Sequence, residues 1–111
     1  ADVVLVVDGS LSIGITNFQT LKSEIVNFVK QIPVTPAGVN VGLVLFSTTV
    51  DQTTGLINLS GDENQLVAAI NALPFPGGGT LTHLGINEGL NMVLTSKRPN
   101  IPKKLVIITD G

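Results

Sequence analysis

Three short runs of almost unbroken apolar residues, at positions 3–7, 41–46 and 105–108, constrain the fold more than any other feature of this chain. A strand that is apolar on both faces has to be covered on both faces, and such strands belong to parallel sheets clothed by helices. None of the runs approaches the roughly 20 apolar residues that a helix needs to cross a bilayer. A length of 111 residues leaves room for one domain and not for two. Hydrophobic residues make up 43% of the chain and charged residues 13%, against roughly 25% charged in soluble domains generally. The composition therefore fits a chain that buries most of its strands.

The segments between the runs read as helices and one hairpin. Thr16 and Gln19 have the spacing of a capping box. Phe18, Leu21, Ile25, Phe28, Val29 and Ile32 then follow at helical spacing, and Pro33 and Pro36 stop the helix. The first two runs and this helix make a βαβ unit. After Phe46 only Ser47, Thr48 and Thr49 precede the next extended stretch, over residues 50–59. A parallel return needs a dozen residues or more, so this partner must be antiparallel, and its polar, Thr-rich sequence suits a sheet edge. Ser60 and Glu63 offer a second capping box, for a short helix marked by Leu66, Ile70 and Leu73. Residues 74–79 form a Pro/Gly loop.

A third helix is predicted over about residues 82–97, with Ile86, Leu90, Val93 and Leu94 facing inward. Lys97 and Arg98 are expected in its last turn, where cations meet the carbonyl end favourably. Gly85 and Gly89 have the spacing of a close contact face, which on an amphipathic helix predicts backbone packed against the sheet. Pro99 and Pro102 precede the last strand, which Lys103 and Lys104 are expected to open in solvent. The fold class is thus α/β, a doubly wound, mostly parallel, Rossmann-like sheet with one antiparallel edge strand. The last run is apolar on both faces and nothing after it can cover or pair with it. Residues 1–111 are therefore expected to be a partial domain that continues beyond Gly111 with further strands and helices.

In open α/β sheets ligands collect beyond the carboxyl ends of the strands, near the point where strand order reverses. Asp8-Gly9-Ser10-Leu11-Ser12 follows the first run, Thr109-Asp110-Gly111 follows the last, and Gly77-Gly78-Gly79-Thr80 opens a helix at the same end. Asp8, Ser10, Ser12, Thr80 and Asp110 are expected to converge there. All five offer hard oxygens, which suit Mg²⁺, with Mn²⁺ or Ca²⁺ as alternatives, and not zinc or copper. The chain has no cysteine, so thiolate sites and disulfides are excluded.

The segment Asp8-Gly9-Ser10-Leu11-Ser12 after an apolar strand resembles the D-x-S-x-S motif of von Willebrand factor type A domains and integrin I domains. The Gly78-Gly79-Thr80 loop and the Ile108-Thr109-Asp110-Gly111 strand end resemble the other two metal-site segments of that family, in the same order. The resemblance covers essentially the whole chain. It implies a metal-ion-dependent adhesion site, in which Ser10 and Ser12 bind the ion directly and Thr80 joins when ligand is bound. Asp8 and Asp110 would act directly or through water. It also implies an extracellular protein partner that offers a Glu or Asp to the metal, and a secreted, matrix or ectodomain setting with tandem copies or oligomers in a larger protein. The affinity switch of the family moves a C-terminal helix that these residues do not include. Neutral hydroxyls quench little of the charge of a cation, which leaves it electrophilic toward an outside carboxylate.

Other readings of the same residues are blander or belong to other classes. Asp8 capping a turn beside Ser10 and Ser12 as turn formers is the plain structural one. A matrix scaffold that assembles independently of the metal site is another. A serine hydrolase would use Ser12 in Ser10-Leu11-Ser12-Ile13-Gly14, a near nucleophile elbow with Ser10 replacing the first glycine, with His83 and Asp110 as base and acid. The order of those three departs from the usual one of that fold. Gly77-Gly78-Gly79-Thr80 lacks the lysine of a phosphate-binding loop. Six Lys+Arg against eight Asp+Glu give a net charge of −2, with no basic field for nucleic acid. Asn58-Leu59-Ser60 is an N-glycosylation sequon. Taken together, the residues read as a binding module and not an enzyme, without membrane insertion.

Overall fold

The strand over Asp2–Asp8, β1, is buried along its whole length because it has a neighbour on each edge and helices on both faces. These relationships come from a computed structural model, which describes residues 1–50 and 56–109. In chain order the further elements are α1 (Ile15–Gln31), β2 (Asn40–Phe46), β3 (Leu56–Ser60), α2 (Glu63–Asn71), α3 (Thr82–Leu94) and β4 (Lys103–Ile108). The sheet order is β3-β2-β1-β4. β1 pairs in parallel with both β2 and β4, and β2 pairs antiparallel with β3. The chain thus winds outward from β1 in two directions, and the strand order reverses beside it. The doubly wound α/β architecture with one antiparallel edge strand is as the sequence predicts.

Alternation along the strands divides the core into two layers. Val3, Leu5 and Val7 with Val41, Leu43 and Leu45 meet Phe18, Ile25 and Val29 of α1 and Leu66 and Ile70 of α2. Val4, Val6, Val44 and Phe46 meet Met92 of α3 on the opposite face. Each fully buried side chain of this size contributes roughly 1.5–3 kcal/mol, so the two layers together fix the strand register. β4 is an edge strand among the described residues, with Val106 41% and Ile107 43% exposed. No helix among the described residues is long and apolar enough to cross a membrane.

The helix ends differ from the capping boxes expected. Thr16 lies inside α1, and its N-cap is Gly14, which makes no side-chain cap bond. Gly14 has φ 79° and ψ 151°, a conformation essentially confined to glycine. The turn of residues 10–14, with Ile13 and Gly14 N–H groups donating to the Ser10 and Leu11 carbonyls, starts the helix in place of a box. For α2 the cap moves two residues on from Ser60: Asp62 accepts the Gln65 N–H at 3.1 Å, while Ser60 Oγ accepts the Asp62 N–H. Glu63 lies in the first turn, where a carboxylate suits the positive end of the helix.

α3 is shorter than expected and turned about its axis. Its buried face is Gly85, Gly89 and Met92, whereas Leu90 is 43% and Leu94 82% exposed. The two glycines explain the difference. A Cβ on Gly85 would stand 2.6 Å from Phe46 Cδ1, and one on Gly89 2.9 Å from Val6 Cγ2. The helix backbone sits directly on the sheet, as the glycine spacing predicts, and this pushes the two leucines outward. Thr95 ends the helix by donating its hydroxyl to the Asn91 carbonyl at 2.8 Å.

Lys97 and Arg98 therefore fall beyond α3, not in its last turn. Arg98 instead donates to Asp2 Oδ1 from Nη2 at 2.6 Å and from Nε at 3.1 Å. Ser96 Oγ donates to Asp2 Oδ2 at 2.5 Å, and Lys103 Nζ lies 3.1 Å from the same oxygen. Lys103 also donates to the Arg98 and Ile101 carbonyls, so it opens β4 within a network and only Lys104 stands out in solvent. Burial pushes the Asp2 carboxyl up, but the hydrogen bonds from Ser96, Arg98 and Lys103 and the Arg98 charge outweigh it and hold the group below the usual carboxylate range.

Candidate functional site

At the carboxyl end of the sheet, Asp8 is the last residue of β1 and is fully buried. Burial of a carboxylate is tolerated only with partners, and the surrounding chain supplies them. Oδ1 accepts the Ser10 N–H at 2.8 Å. Oδ2 accepts the Thr109 hydroxyl at 2.7 Å. The register explains the second bond: Val7 pairs with Ile108, so Thr109 follows β4 directly beside Asp8.

The tight turn after Asp8 brings two hydroxyls together. Ser10 Oγ and Ser12 Oγ are 3.0 Å apart, Ser10 buried and Ser12 exposed. Adjacent ligands of an octahedral Mg²⁺, at roughly 2.0–2.1 Å from the ion, are separated by about 2.8–3.0 Å. The pair is thus spaced like two neighbouring ligands, with one side open to solvent and a buried carboxylate behind it. This donor set, two neutral hydroxyls and a carboxylate, fits a hard divalent ion.

The loop that carries Thr80 is tied to the same place from two sides. The Gly77 N–H donates to the Gly9 carbonyl at 2.9 Å, and the Leu11 N–H donates to the Gly78 carbonyl at 3.0 Å. On the β2 side, the Gly79 N–H donates to Thr48 Oγ1 at 2.8 Å and the Leu81 N–H to the Ser47 carbonyl at 2.9 Å. Thr80 lies exposed between these ties, two residues before α3. The structure thereby brings the loops of Asp8, Ser10, Ser12 and Thr80 to one end of the sheet. Asp110 lies outside the described residues.

His83, the base of the hydrolase reading, stands exposed in the first turn of α3, and the Ser12 hydroxyl is paired with that of Ser10. No group of three or more His, Cys, Asp or Glu residues that could hold a metal ion is found among the described residues. Two residues that bear on the site escaped the sequence reading. Thr109 could have been found from its place between Ile108 and Asp110. Thr48 follows β2, the parallel neighbour of β1, and that position at a strand end was the available signal.

Comparison with known proteins places this chain in a family. Residues 2–111 match the von Willebrand factor type A domain. The chain is 35% identical to the mouse collagen alpha-1(XX) chain over 114 residues, covering 100% of this chain and 9% of the collagen chain. It is 30% identical to human vitrin, covering 100% of this chain and 16% of vitrin. The chain thus spans only a small part of the curated relatives it matches. Among solved structures, the von Willebrand factor domain of the type V pilus tip protein of Porphyromonas gingivalis aligns with a TM-score of 0.79 at 32% identity, covering 99% of this chain and 37% of that one. The pilus adhesin SpaC of Lactobacillus rhamnosus GG, in an open conformation, aligns with a TM-score of 0.77 at 29% identity, over 100% of this chain and 14% of that one. With its strand order, its two helical layers and a match along nearly its whole length, the chain belongs to the von Willebrand factor type A domain family.

Proposed function

We propose that this chain is an extracellular, adhesion-type binding module that holds Mg²⁺ among Ser10, Ser12, Asp8, Thr80 and Asp110 and captures a partner protein through a Glu or Asp side chain. The observation that carries the reading is the Ser10–Ser12 hydroxyl pair, 3.0 Å apart in front of the buried Asp8. Matrix proteins among the relatives, collagen chains, vitrin and matrilin-2, support the extracellular setting. A pilus adhesin among the structural neighbours supports attachment as the task. When bound, the ion supplies a positive centre that only partly charged ligands surround, and an anionic group from outside can complete it. The protein itself orients the hydroxyls, since the Ser10 N–H bond to Asp8 sets the turn that aims them. The exposed apolar side chains of Leu94, Val106 and Ile107 support a place for further strands and helices of the same domain.

Calorimetric titration of Mg²⁺ into the protein tests the metal site. A single saturable site, lost in Asp8→Ala, is the expected result, and absence of binding in the unaltered protein overturns it. Attachment to extracellular-matrix material is then expected to be released by a chelator. A second reading, a scaffold that assembles without the ion, draws on the same exposed apolar residues. Sedimentation in Mg²⁺ and in chelator separates the two, because only the scaffold reading expects assembly to be unchanged by chelator and by Asp8→Ala.

A further inference from the structure

We propose that Thr48 is a positioning residue for this site: it latches the glycine-rich loop so that Thr80 is held ready beside Ser10 and Ser12. The inference rests on the metal-site reading above and adds a residue from a strand end that the motif segments do not include. Its Oγ1 accepts the Gly79 N–H at 2.8 Å, immediately before Thr80. Immediately after Thr80, the Leu81 N–H is held by the carbonyl of Ser47, the neighbour of Thr48. Residue 80 is therefore bracketed by two bonds to one short turn, which the Ser47 N–H closes on the Thr49 carbonyl at 3.0 Å.

The packing is specific to this hydroxyl. Gly78 has φ 83°, and a Cβ there would stand 2.8 Å from Thr48 Oγ1. On Gly79 a Cβ would stand 3.4 Å from the same atom. The absence of side chains at two successive positions makes the space that Thr48 fills. Among the described residues, the other three ties of the loop run backbone to backbone, to Gly9, Leu11 and Ser47. Thr48 thus supplies the one tie that a side-chain substitution removes.

A glycine-rich loop left free must be ordered when its threonine joins a ligand sphere, and that cost is subtracted from affinity. The latch removes the cost beforehand. Its loss should appear in affinity and loop motion, and not in global stability, because Thr48 is exposed. One hydrogen bond of this kind corresponds to about a fivefold change in an equilibrium.

Two measurements test this on Thr48→Val, which keeps the shape and loses the hydroxyl, and Thr48→Ser, which keeps the hydroxyl. In metal-free protein, amide hydrogen exchange is expected to speed up about fivefold at Gly79 in Thr48→Val and to return to the parent rate in Thr48→Ser. Mg²⁺ affinity, measured with saturating acetate as the outside carboxylate so that Thr80 joins the ion, should fall by about the same factor in Thr48→Val and recover in Thr48→Ser. The thermal midpoint in chelator should stay within about 3 °C of the parent for both. Unchanged exchange at Gly79 in Thr48→Val overturns the latch. Faster exchange with unchanged Mg²⁺ affinity overturns its bearing on the site. A parent protein that binds no Mg²⁺ defeats the metal-site reading and with it the affinity role of Thr48, while the exchange rates still decide the latch itself.

Discussion

Gly85 rests against the ring of Phe46 so closely that a Cβ at this helix position would lie 2.6 Å from Cδ1 and 2.8 Å from Cγ of the ring. Phe46 is fully buried in the layer beneath α3, with Val6 beside it, so neither side can yield easily. In an exposed helix Gly→Ala gains about 1 kcal/mol. Here the sign reverses. Gly85→Ala is expected to destabilise the fold by about 1–3 kcal/mol through overpacking, read as a lower urea midpoint at unchanged slope.

Ser12 offers the cleanest separation of stability from ion binding, because its side chain is exposed while its hydroxyl faces that of Ser10. Ser12→Ala removes the bond to the buried Ser10 hydroxyl and should cost no more than about 1.5 kcal/mol of stability in chelator. Mg²⁺ affinity should fall by roughly tenfold or more, as expected for loss of a ligand. Calorimetric titration alongside urea unfolding in chelator checks both halves.

At the opposite end of the sheet, Asp2 sets an acid limit on the fold. Its folded-state carboxyl sits below the usual range, because the bonds from Ser96, Arg98 and Lys103 and the Arg98 charge exceed the upward push of burial. A depressed folded value means a stabilisation present above the unfolded value of about 3.9 and lost as pH falls through the folded value. Urea midpoints of the parent should therefore drop below about pH 4, and Asp2→Asn should flatten that part of the profile. At neutral pH, Asp2→Asn is expected to cost about 2–3 kcal/mol, since Arg98 and Lys103 lose their charged partner.

Lys22 is a buried cation on α1 whose role is to hold the end of α2. Nζ donates to the Leu73 carbonyl at 2.7 Å and to the Asn71 carbonyl at 3.0 Å, and stands 5.8 Å from the centre of the Phe18 ring. Lys22→Met keeps the apolar stem and removes these bonds, with an expected cost of about 1–3 kcal/mol. The same change should speed amide exchange in the loop that follows Leu73. Exchange there at the parent rate would show that the loop does not depend on this anchor.

What the sequence made legible follows from how each feature is encoded. The three apolar runs marked β1, β2 and β4, of which β1 and β2 are buried and β4 lies at an edge, and the short link after Phe46 pointed to an antiparallel partner. Both are properties of adjacent residues. Of the expected stretch 50–59 the structure shows β3 at Leu56–Ser60, and residues 51–55 lie outside the described residues. Chain order and strand ends also pointed to Asp8, Ser10, Ser12 and the Thr80 loop. Less legible were features in which backbone geometry competes with side-chain pattern. The Gly85/Gly89 face was visible as spacing, yet Leu90 and Leu94 look inward by hydrophobicity, and only the approach of the helix to Phe46 and Val6 decides between them. Thr16 and Ser60 had cap spacing, but Gly14 and Asp62 fix the starts of the helices. Arg98 looked like a helix-end cation because its partner, Asp2, lies at the other end of the chain.

The parallel pairing of β1 with β4 has a consequence for the order of assembly. Asp2 and Arg98 are 96 positions apart. At a synthesis rate of about 5–20 residues per second, the innermost strand therefore waits roughly 5–20 s before its second neighbour exists. During that interval β1 can pair only with β2, and an apolar margin meant for the interior stands open on the nascent chain. This is the stretch of time in which chaperones would be most needed.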